Sequence, residues 1–540
     1  MAIEQTLKET IHNALTKLGV FFDIDKITID HSKDASHGDY ASNIAFKVNK
    51  QLGPTPIDTA NKIIEVINKD IFDKIEVAKP GFINFFLKNA AMSSIISTVI
   101  KEGVNYGRGQ EKHKRINVEF VSANPTGHLH VGHARCAAYG DSLARILSFA
   151  GYDVTREYYI NDAGNQIKNL GESIYQRYME LYGVTPHIPE DGYMGADIIK
   201  IAEEFKNKYG DSLKEHSAKN LKILTQEGLN KELDNIKNDL KDFGVVFDVF
   251  TSETSIRNSG VIEQTLKELD KYIYDDNGAK LLKTTSFLDD KDRPIIKSNG
   301  DYTYFLPDIA YHYNKMSRNF HLLIDVLGAD HHGYVNRMKS ALMMKGYSQD
   351  VLKIPLIQVV RLMDNGIEVK MSKRTGNAIT LKELCDEVGV NAVRYFFVAR
   401  SNTSHLDFDF ALAKSKSNDN PVYYAMYAHA RLCNVLQLAK GMEINYSGEL
   451  LKAKSEMDLL KALQEFPSVV NNVAETFEVH KMVNFIHLLA TLIHSFYNEC
   501  RIIDKDNLKL SAHRLGLVVA CKGVLYSALN LIGVKAPEKM

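Results

Sequence analysis

The chain has 540 residues, of which 45% are hydrophobic and 25% charged, a composition typical of a globular protein with several domains. The formal net charge of −1 gives no overall signal for nucleic acid, so an RNA ligand would need local basic surfaces. The five cysteines are scattered without a CxxC pair, which argues against a zinc ribbon or a disulfide framework and favours a reducing cytoplasm.

Residues 1–110 are predicted to form a small α+β domain. It begins with an amphipathic helix over 3–18, which is too polar for a secretory signal. Short strands around 27–29 and 81–87 and a helix over 58–68 complete it. No apolar stretch along the chain approaches the ~20 residues of a membrane span, so we expect no membrane association.

A strand over 116–121 leads into a helix over 132–150 at the sequence His-Val-Gly-His, residues 130–133. The N-terminus of a helix presents free backbone N–H groups and the positive end of the helix dipole, which together suit a phosphate. His130 and His133 flank Gly132, and a glycine lets a ligand approach the backbone closely. The pattern predicts a phosphate-binding turn.

Strands alternate with helices from Arg115 onward, which predicts a mostly parallel, Rossmann-like sheet over residues 111–417. Ligands of such sheets bind at the carboxyl ends of the strands. Charged helical sequence over about 175–290 interrupts the alternation and predicts a helical insertion. The alternation then resumes with strands over 321–327 and 356–362.

Residues 359–371 have the pattern of a β-hairpin whose turn contains Asn365-Gly366. Its second strand runs into Lys-Met-Ser-Lys-Arg at 370–374, where Lys370 and Lys373 could clamp the β- and γ-phosphates of a nucleotide. Together with the His-Val-Gly-His turn, this segment indicates a nucleoside triphosphate site built for adenylyl transfer.

Residues 418–540 show helical periodicity without strand alternation, which predicts an all-α bundle. The predicted helices cover 422–438, 457–463, 470–477, 482–497 and 512–531. At helical spacing, Tyr423, Tyr427 and Arg431 share one face of the first helix, where aromatic rings and a guanidinium could stack on unpaired bases.

The order and spacing of the two motifs are the signature of class I aminoacyl-tRNA synthetases, and residues 118–135 resemble the arginyl-tRNA synthetases in particular. Segments 301–312, 327–334, 421–431 and 536–540 are similar to the same family. The resemblance implies an arginine–tRNA ligase that forms an arginyl-adenylate, with an N-terminal domain that binds the tRNA elbow and a C-terminal domain that binds the anticodon. It further implies ATP and Mg²⁺ as cofactors, L-arginine and tRNA(Arg) as partners, and a cytoplasmic monomer.

The resemblance also implies which side chains bind each substrate. The residues implied at ATP are His130, Gly132, His133, Lys370, Met371, Ser372 and Lys373, and the two histidines and two lysines are the catalytic ones. The guanidinium of arginine is assigned to Glu253, Tyr304 and Asp308, and its amino-acid end to Glu119, Ser122, Asn124 and Asp330. Tyr423, Tyr427 and Arg431 are assigned to tRNA, and no residue is assigned to a metal.

Two other functions are compatible with parts of the sequence. Another class I synthetase, for cysteine or glutamate, would share both motifs. The missing zinc ligands and the presence of the segment with Tyr304 and Asp308 both argue against this alternative. A catalytically silent RNA-binding paralogue would have no use for Lys370 and Lys373. Some relatives replace the second of these lysines with one just upstream of the histidine motif. Here Gly127 fills that upstream position, so Lys373 has no obvious substitute.

Overall fold

The computed structural model describes residues 3–32, 35–369 and 379–540, and its N-terminal part is an antiparallel sheet covered by helices. The elements are α1 (Ile3–Lys17), β1 (Asp30–His31), β2 (Tyr40–Ser42), α2 (Ile44–Leu52), α3 (Pro56–Val66), β3 (Phe72–Ala78), β4 (Phe82–Leu87) and α4 (Asn89–Glu102). The strand order is β1-β2-β4-β3. Helix α1 buries Leu7, Ile11 and Ala14, a helical i, i+4 and i+7 stripe, against this domain's core.

The N-terminal domain docks on the C-terminal bundle through its Gly-Asp-Tyr segment. The buried hydroxyl of Tyr40 donates to the side-chain oxygen of Gln464 at 2.8 Å. Beside it, the ammonium of Lys461 lies 2.8 Å from the carboxylate of Asp39. This face of the domain is therefore an internal contact between domains.

The central part of the chain contains a five-stranded parallel path, β12-β11-β5-β6-β7, with β13 paired to β11. Between residues 115 and 296 the elements are β5 (Arg115–Phe120), α5 (Val131–Phe149), β6 (Asp153–Ile160), α6 (Asn165–Glu180), α7 (Ala196–Tyr209), α8 (Ala218–Asp242), β7 (Val249–Ser252), α9 (Glu253–Asn258), α10 (Val261–Leu269), β8 (Ile273–Asp276), β9 (Ala279–Leu282) and β10 (Arg293–Ile296). The remainder are α11 (Phe305–Ser317), β11 (Leu322–Gly328), α12 (Tyr334–Met344), β12 (Leu352–Lys353), β13 (Leu356–Ile357), β14 (Val360–Asp364), β15 (Ile367–Glu368), α13 (Leu381–Val388), α14 (Val390–Val398), β16 (Leu406–Asp409) and α15 (Phe410–Lys414).

The direction of the strand order changes between β5 and β11. From β5 the chain adds β6 and β7 on one side, whereas β11 and β12 lie on the other side. Such a reversal leaves a crevice at the carboxyl ends of the two neighbouring strands, where α/β sheets bind their ligands. The fold thus places a ligand site beyond Phe120 and Gly328.

The interval 175–290 differs from the helical insertion that the sequence predicts. Helices α6, α7 and α8 pack around their own apolar cluster, but β7 then pairs with β6 in the main sheet, and β8, β9 and β10 form a small antiparallel sheet. Strand β7 has only four half-buried residues, too few for an alternating pattern to distinguish it from the charged helices around it.

The C-terminal part is a bundle of four long helices: α16 (Pro421–Leu438), α17 (Lys454–Thr476), α18 (His480–Glu499) and α19 (Leu508–Leu531). The segments predicted as two helices, 457–463 and 470–477, are one continuous helix, α17, which carries Pro467 inside it. Proline usually interrupts a helix because it lacks an N–H group, but packing on both sides keeps this one continuous: Phe466 and Val470 are fully buried.

By length and composition, α19 could cross a membrane, contrary to the expectation that no apolar stretch approaches this length. Of its apolar window, 67% is buried inside the protein, and it packs against α16, α17 and α18. An apolar sequence on all sides of a helix is also what the central helix of a bundle requires.

Candidate active site

Helix α5 begins at Val131, and the preceding residue, His130, caps it with its side chain. The Nδ1 atom of His130 accepts the backbone N–H of Gly132 at 3.1 Å, and the Nδ1 atom of His133 accepts the backbone N–H of His130 at 3.3 Å. The two imidazole rings stack with centroids 3.7 Å apart. The predicted phosphate-binding turn is therefore a helix N-terminus with two ordered imidazoles.

These contacts determine which nitrogen of each ring carries the proton. Because each Nδ1 accepts a backbone N–H, the neutral ring keeps its hydrogen on Nε2 and can donate it outward. Burial lowers the pKa of His130, and burial together with His130 lowers the pKa of His133 to about 4. Both rings are therefore neutral near pH 7, each with one N–H donor available to an anion.

Backbone contacts join the turn at the start of α5 to Thr380 and Leu381, which follow the β14–β15 hairpin in the sequence. His130 and Thr380 form an antiparallel bridge, and the N–H of Leu381 donates to the carbonyl oxygen of Leu129 at 2.7 Å. Thr380 caps α13 in a capping box with Glu383, as the sequence indicates. The hairpin itself is present as β14 paired with β15. Lys370, Met371, Ser372 and Lys373 lie outside the described residues.

A cavity of about 330 Å³ opens at the carboxyl ends of β5 and β11, the crevice that the strand order predicts. It brings together three of the predicted arginine-binding residues, Glu119, Tyr304 and Asp308. Tyr304 is 72% exposed at the start of α11, whereas Asp308 lies one turn further in. The other lining residues are Tyr159, Phe305, Tyr311, His312, Asp325, Leu327, His331, Tyr334 and Arg337.

Asp308 carries the chemistry of this cavity. Burial raises the pKa of its carboxyl to about 7; His312 opposes the rise, and Glu253 and Glu119 add to it. Among the described residues, no lysine or arginine forms an ion pair with it. A half-buried carboxylate without a cation is matched by a cationic ligand, and a guanidinium fits because it presents paired N–H donors.

The remaining predicted arginine-binding residues have other partners. Ser122 donates to Glu119 at 2.9 Å and accepts the N–H of Tyr159 at 3.0 Å, so it supports the cavity wall. Three contacts describe the rest: the amide of Asn124 donates to Gln166 at 2.7 Å, exposed Asp330 lies 3.5 Å from His331, and buried Glu253 pairs with Arg257 at 2.6 Å.

Below the cavity lies a polar layer that the sequence interpretation missed. Lys315 contacts Glu119 and Asp325, and Asp325 also contacts His312. A signal was available, since Asp325 interrupts the apolar strand Leu-Leu-Ile-Asp-Val-Leu. His312 and Lys315 also fall on the helical face of Asp308, at i+4 and i+7.

A second cavity, of about 440 Å³, lies in the C-terminal bundle and is lined by Tyr427, Ala430, Arg431, Asn434, Gln437, Tyr497, Glu538, Lys539 and Met540. The guanidinium of Arg431 sits between the rings of Tyr427 and Tyr497, 4.6 and 4.3 Å from their centroids. Tyr423 stacks on Tyr427 at 6.0 Å but does not line the cavity. Two of the three predicted tRNA-binding residues therefore share a pocket.

Comparison with known proteins covers each of these parts. Residues 5–87 match the family described as "Arginyl tRNA synthetase N terminal domain", residues 95–407 match "tRNA synthetases class I (R), catalytic domain", and residues 425–540 match "DALR anticodon binding domain".

Full-length relatives agree with these matches. The chain is 48% identical to the arginine–tRNA ligase of Oceanobacillus iheyensis over 99% of both chains, and 46% identical to that of Bacillus subtilis over 100% of this chain and 99% of the relative. The solved arginyl-tRNA synthetase of Thermus thermophilus, 21% identical, has the same fold, with a TM-score of 0.77 over 99% of this chain and 100% of that one. The chain belongs to the arginyl-tRNA synthetase family of class I aminoacyl-tRNA synthetases.

Proposed function

We propose that this chain ligates L-arginine to tRNA(Arg) with ATP as the energy source, releasing AMP and diphosphate through an arginyl-adenylate. The observation that carries the proposal is the half-buried carboxyl of Asp308, which pairs with no lysine or arginine of the described residues and lies in the crevice at the carboxyl end of β5, the strand that leads into the His-Val-Gly-His turn. A cation-selective pocket next to a phosphate-binding helix terminus suits a cationic amino acid that is joined to a phosphate.

In the activation step, the carboxylate of arginine attacks the α-phosphorus of ATP. The new bond joins a carboxylate oxygen to phosphorus, and the bond from that phosphorus to the diphosphate oxygen breaks. Arginine's carboxylate is already ionised, so the reaction needs orientation and charge stabilisation instead of a general base. His130 and His133 donate from Nε2 to phosphate oxygens, and we assign the clamping of the β- and γ-phosphates to Lys370 and Lys373.

The two ends of arginine are assigned to two of the three carboxylates that line the cavity. Asp308 and Tyr304 take the guanidinium, and Glu119, held by Ser122, takes the α-ammonium. Asn124, Asp330 and Glu253 remain predicted contacts, and each of them would have to exchange its present partner for the substrate.

Mg²⁺ fits this site as part of the nucleotide substrate. Within residues 3–32, 35–369 and 379–540, no group of three or more His, Cys, Asp or Glu side chains is arranged to hold a metal. We assign Mg²⁺ to the phosphates of ATP, where it would neutralise the charge of the diphosphate leaving group.

Three broader assignments accompany this function. We propose domain limits at 1–110, 111–417 and 418–540, supported by the family matches to 5–87, 95–407 and 425–540. The N-terminal domain is assigned to the tRNA elbow and the bundle to the anticodon. The proposed working form is a cytoplasmic monomer.

Amino-acid-dependent exchange of labelled diphosphate into ATP tests the function. Each of the twenty amino acids is assayed with and without tRNA(Arg), and charging of tRNA(Arg) is measured in parallel. Only arginine should support both reactions. Exchange with cysteine or glutamate would assign the chain to another specificity, and binding of tRNA without any exchange would make it a silent RNA-binding protein.

The pKa of Asp308 predicts how arginine use depends on pH. Arginine stays a cation throughout, and it binds the ionised form of Asp308. Since burial raises the pKa of this carboxyl to about 7, kcat/KM for arginine should level off above about pH 8, reach half its maximum near pH 7, and fall up to about tenfold per pH unit below that. The KM for ATP should not share this midpoint. A flat arginine profile down to about pH 5 would contradict the assignment.

The pocket in the bundle predicts a specific loss of tRNA affinity. Arg431→Ala removes a guanidinium held between two tyrosine rings, and one stacked base is worth ~1–2 kcal/mol, so KM for tRNA(Arg) should rise about 5- to 30-fold. KM values for arginine and ATP should stay unchanged. Lys481→Ala is the matched control. This substitution also removes a cation from the bundle, but Lys481 lies about 24 Å along α18 from Tyr497. Equal effects of the two substitutions would rule out this pocket as an RNA site.

A further inference from the structure

Lys315 is fully buried beneath the arginine cavity, a position where an ammonium needs strong compensation. Its Nζ atom contacts the carboxylate of Glu119, lies 2.8 Å from Oδ1 of Asp325, and lies 4.5 Å from the centroid of the Tyr311 ring. Although burial disfavours its charge, Asp325 and Glu119 raise the pKa of Lys315 above its ordinary value. Lys315 is therefore a fixed positive charge.

The two carboxylates that it joins belong to neighbouring strands. Glu119 in β5 and Asp325 in β11 are direct partners in the parallel register. Two adjacent carboxylates on one sheet repel each other strongly unless a cation lies between them. Lys315, on helix α11 across that sheet, supplies this cation and so holds Glu119 in its place at the cavity floor.

The same layer continues to the helical turn that carries Asp308. The Nε2 atom of His312 lies 2.7 Å from Oδ2 of Asp325, and its Nδ1 atom lies 2.7 Å from the backbone carbonyl oxygen of Asp308. Burial opposes the ionisation of Asp325, but Lys315 and His312 hold its pKa well below the ordinary value. The ring of His312 therefore links Asp325 to the backbone of the helical turn that carries Asp308.

Lys315 is therefore the cation that lies between the carboxylates of Glu119 and Asp325. We propose that Lys315 is a positioning and specificity-determining residue for arginine, an inference that rests on the proposed function. It compensates the charge of the layer beneath the cavity and leaves Asp308 as the carboxylate that selects the guanidinium. Lys315 touches Glu119 and not the substrate, so it acts through the residues above it.

The proposal predicts that the charge of the layer sets the ionisation of Asp308. The titratable and charged groups around Asp308 are Tyr304, Tyr311 and His312 on its own helix, with Glu119, Tyr159, Glu253, Asp325, His331, Tyr334 and Arg337 from the elements packed against it, and Lys315 beneath them. A variant with one more net negative charge in this set should ionise Asp308 at higher pH, and a variant with one more net positive charge at lower pH.

Two substitutions change the charge of the layer in opposite directions. Lys315→Met leaves one extra negative charge, so the pH midpoint of kcat/KM for arginine should rise by about one pH unit and the value at pH 7 should fall about fivefold. Asp325→Asn leaves one extra positive charge, so the midpoint should move below that of the wild type. The measurement is arginine-dependent diphosphate exchange over about pH 5.5 to 9, with tRNA(Arg) present.

The control variants separate charge from packing. Lys315→Met combined with Asp325→Asn restores the balance and should return the midpoint toward the wild-type value. Lys345→Met is the matched control, since Lys345 also pairs with a carboxylate (Glu268, 2.7 Å) and lies over a tyrosine ring (Tyr313, 4.3 Å), but away from the cavity. It should leave the midpoint unchanged.

Opposite shifts in the two single variants would support the proposal, because lost packing changes activity without moving a midpoint in two directions. Midpoints that stay fixed, or that move the same way in both variants, would overturn it. Should circular dichroism show Lys315→Met unfolded, the downward shift of Asp325→Asn decides alone. A wild type without arginine-dependent exchange would refute the proposed function instead, which keeps the two failures distinct.

Discussion

We expect His130→Asn to lower the rate of arginine-dependent diphosphate exchange by about 10²- to 10³-fold while leaving the thermal unfolding midpoint close to that of the wild type. That loss is the size expected when one preorganised donor to a developing phosphate charge is removed. Asparagine is among the best N-cap residues, so α5 keeps its capping hydrogen bond to the N–H of Gly132. It lacks the Nε2–H group that reaches outward from the imidazole.

This substitution separates the two roles that the geometry of His130 allows. If the ring served only as a helix cap, asparagine would replace it and activity would be retained. His130→Ala should lose both the donor and the cap, so it should be slower and also less stable by ~1 kcal/mol. His128→Asn is the matched control, because this half-exposed histidine two residues earlier lies 4.0 Å from Asp239 and makes no contact with the cap. Near-wild-type exchange by His130→Asn would reject the assignment.

The start of helix α5 could be predicted from the sequence because several local signals coincide there. A buried strand, a glycine between two polar side chains and a long apolar stripe all mark the same boundary, and α5 begins at Val131, within one residue of the prediction. The capping box at Thr380 and the turn at Asn365 were predictable for the same reason, since short-range hydrogen bonding alone determines them.

Elements whose structure depends on distant packing were predicted less well. Pro467 and the polar residues near it suggest a break, but α17 runs through because Phe466 and Val470 are enclosed by neighbouring helices. Strand β7 is fixed by its pairing with β6, which leaves almost no trace in its own four residues. Long-range partners of this kind are not encoded in a local pattern.

The arginine cavity shows the same division. Tyr304 and Asp308 lie on one turn of α11 and line the cavity together, as their spacing allows. The pairing of Glu253 with Arg257 could not be seen from the family motif, because it depends on the short helix α9, in which the two residues are four apart. The layer formed by Lys315, Asp325 and His312 depends on the register of β5 against β11 and so appears only in three dimensions.

Asp308→Asn should lower kcat/KM for arginine by about 10²-fold, or ~2.7 kcal/mol, while KM for ATP stays unchanged. The substitution keeps the shape of the side chain but turns a charge-assisted pair with the guanidinium into a contact between a cation and a neutral amide. The arginine profile should also lose its midpoint near pH 7, because the group that titrates there is gone.

Citrulline provides the complementary test, since it replaces the guanidinium with a neutral urea of nearly the same shape. The wild type should reject it because its carboxylate would be left without a positive partner. In Asp308→Asn the amide can pair with the urea, so the ratio of kcat/KM for arginine to that for citrulline should fall. Parallel losses for arginine, citrulline and ATP would indicate a folding defect. An unchanged ratio would mean that the guanidinium binds elsewhere, because only a residue in contact with that group can alter the choice between a charged and a neutral substrate of equal size.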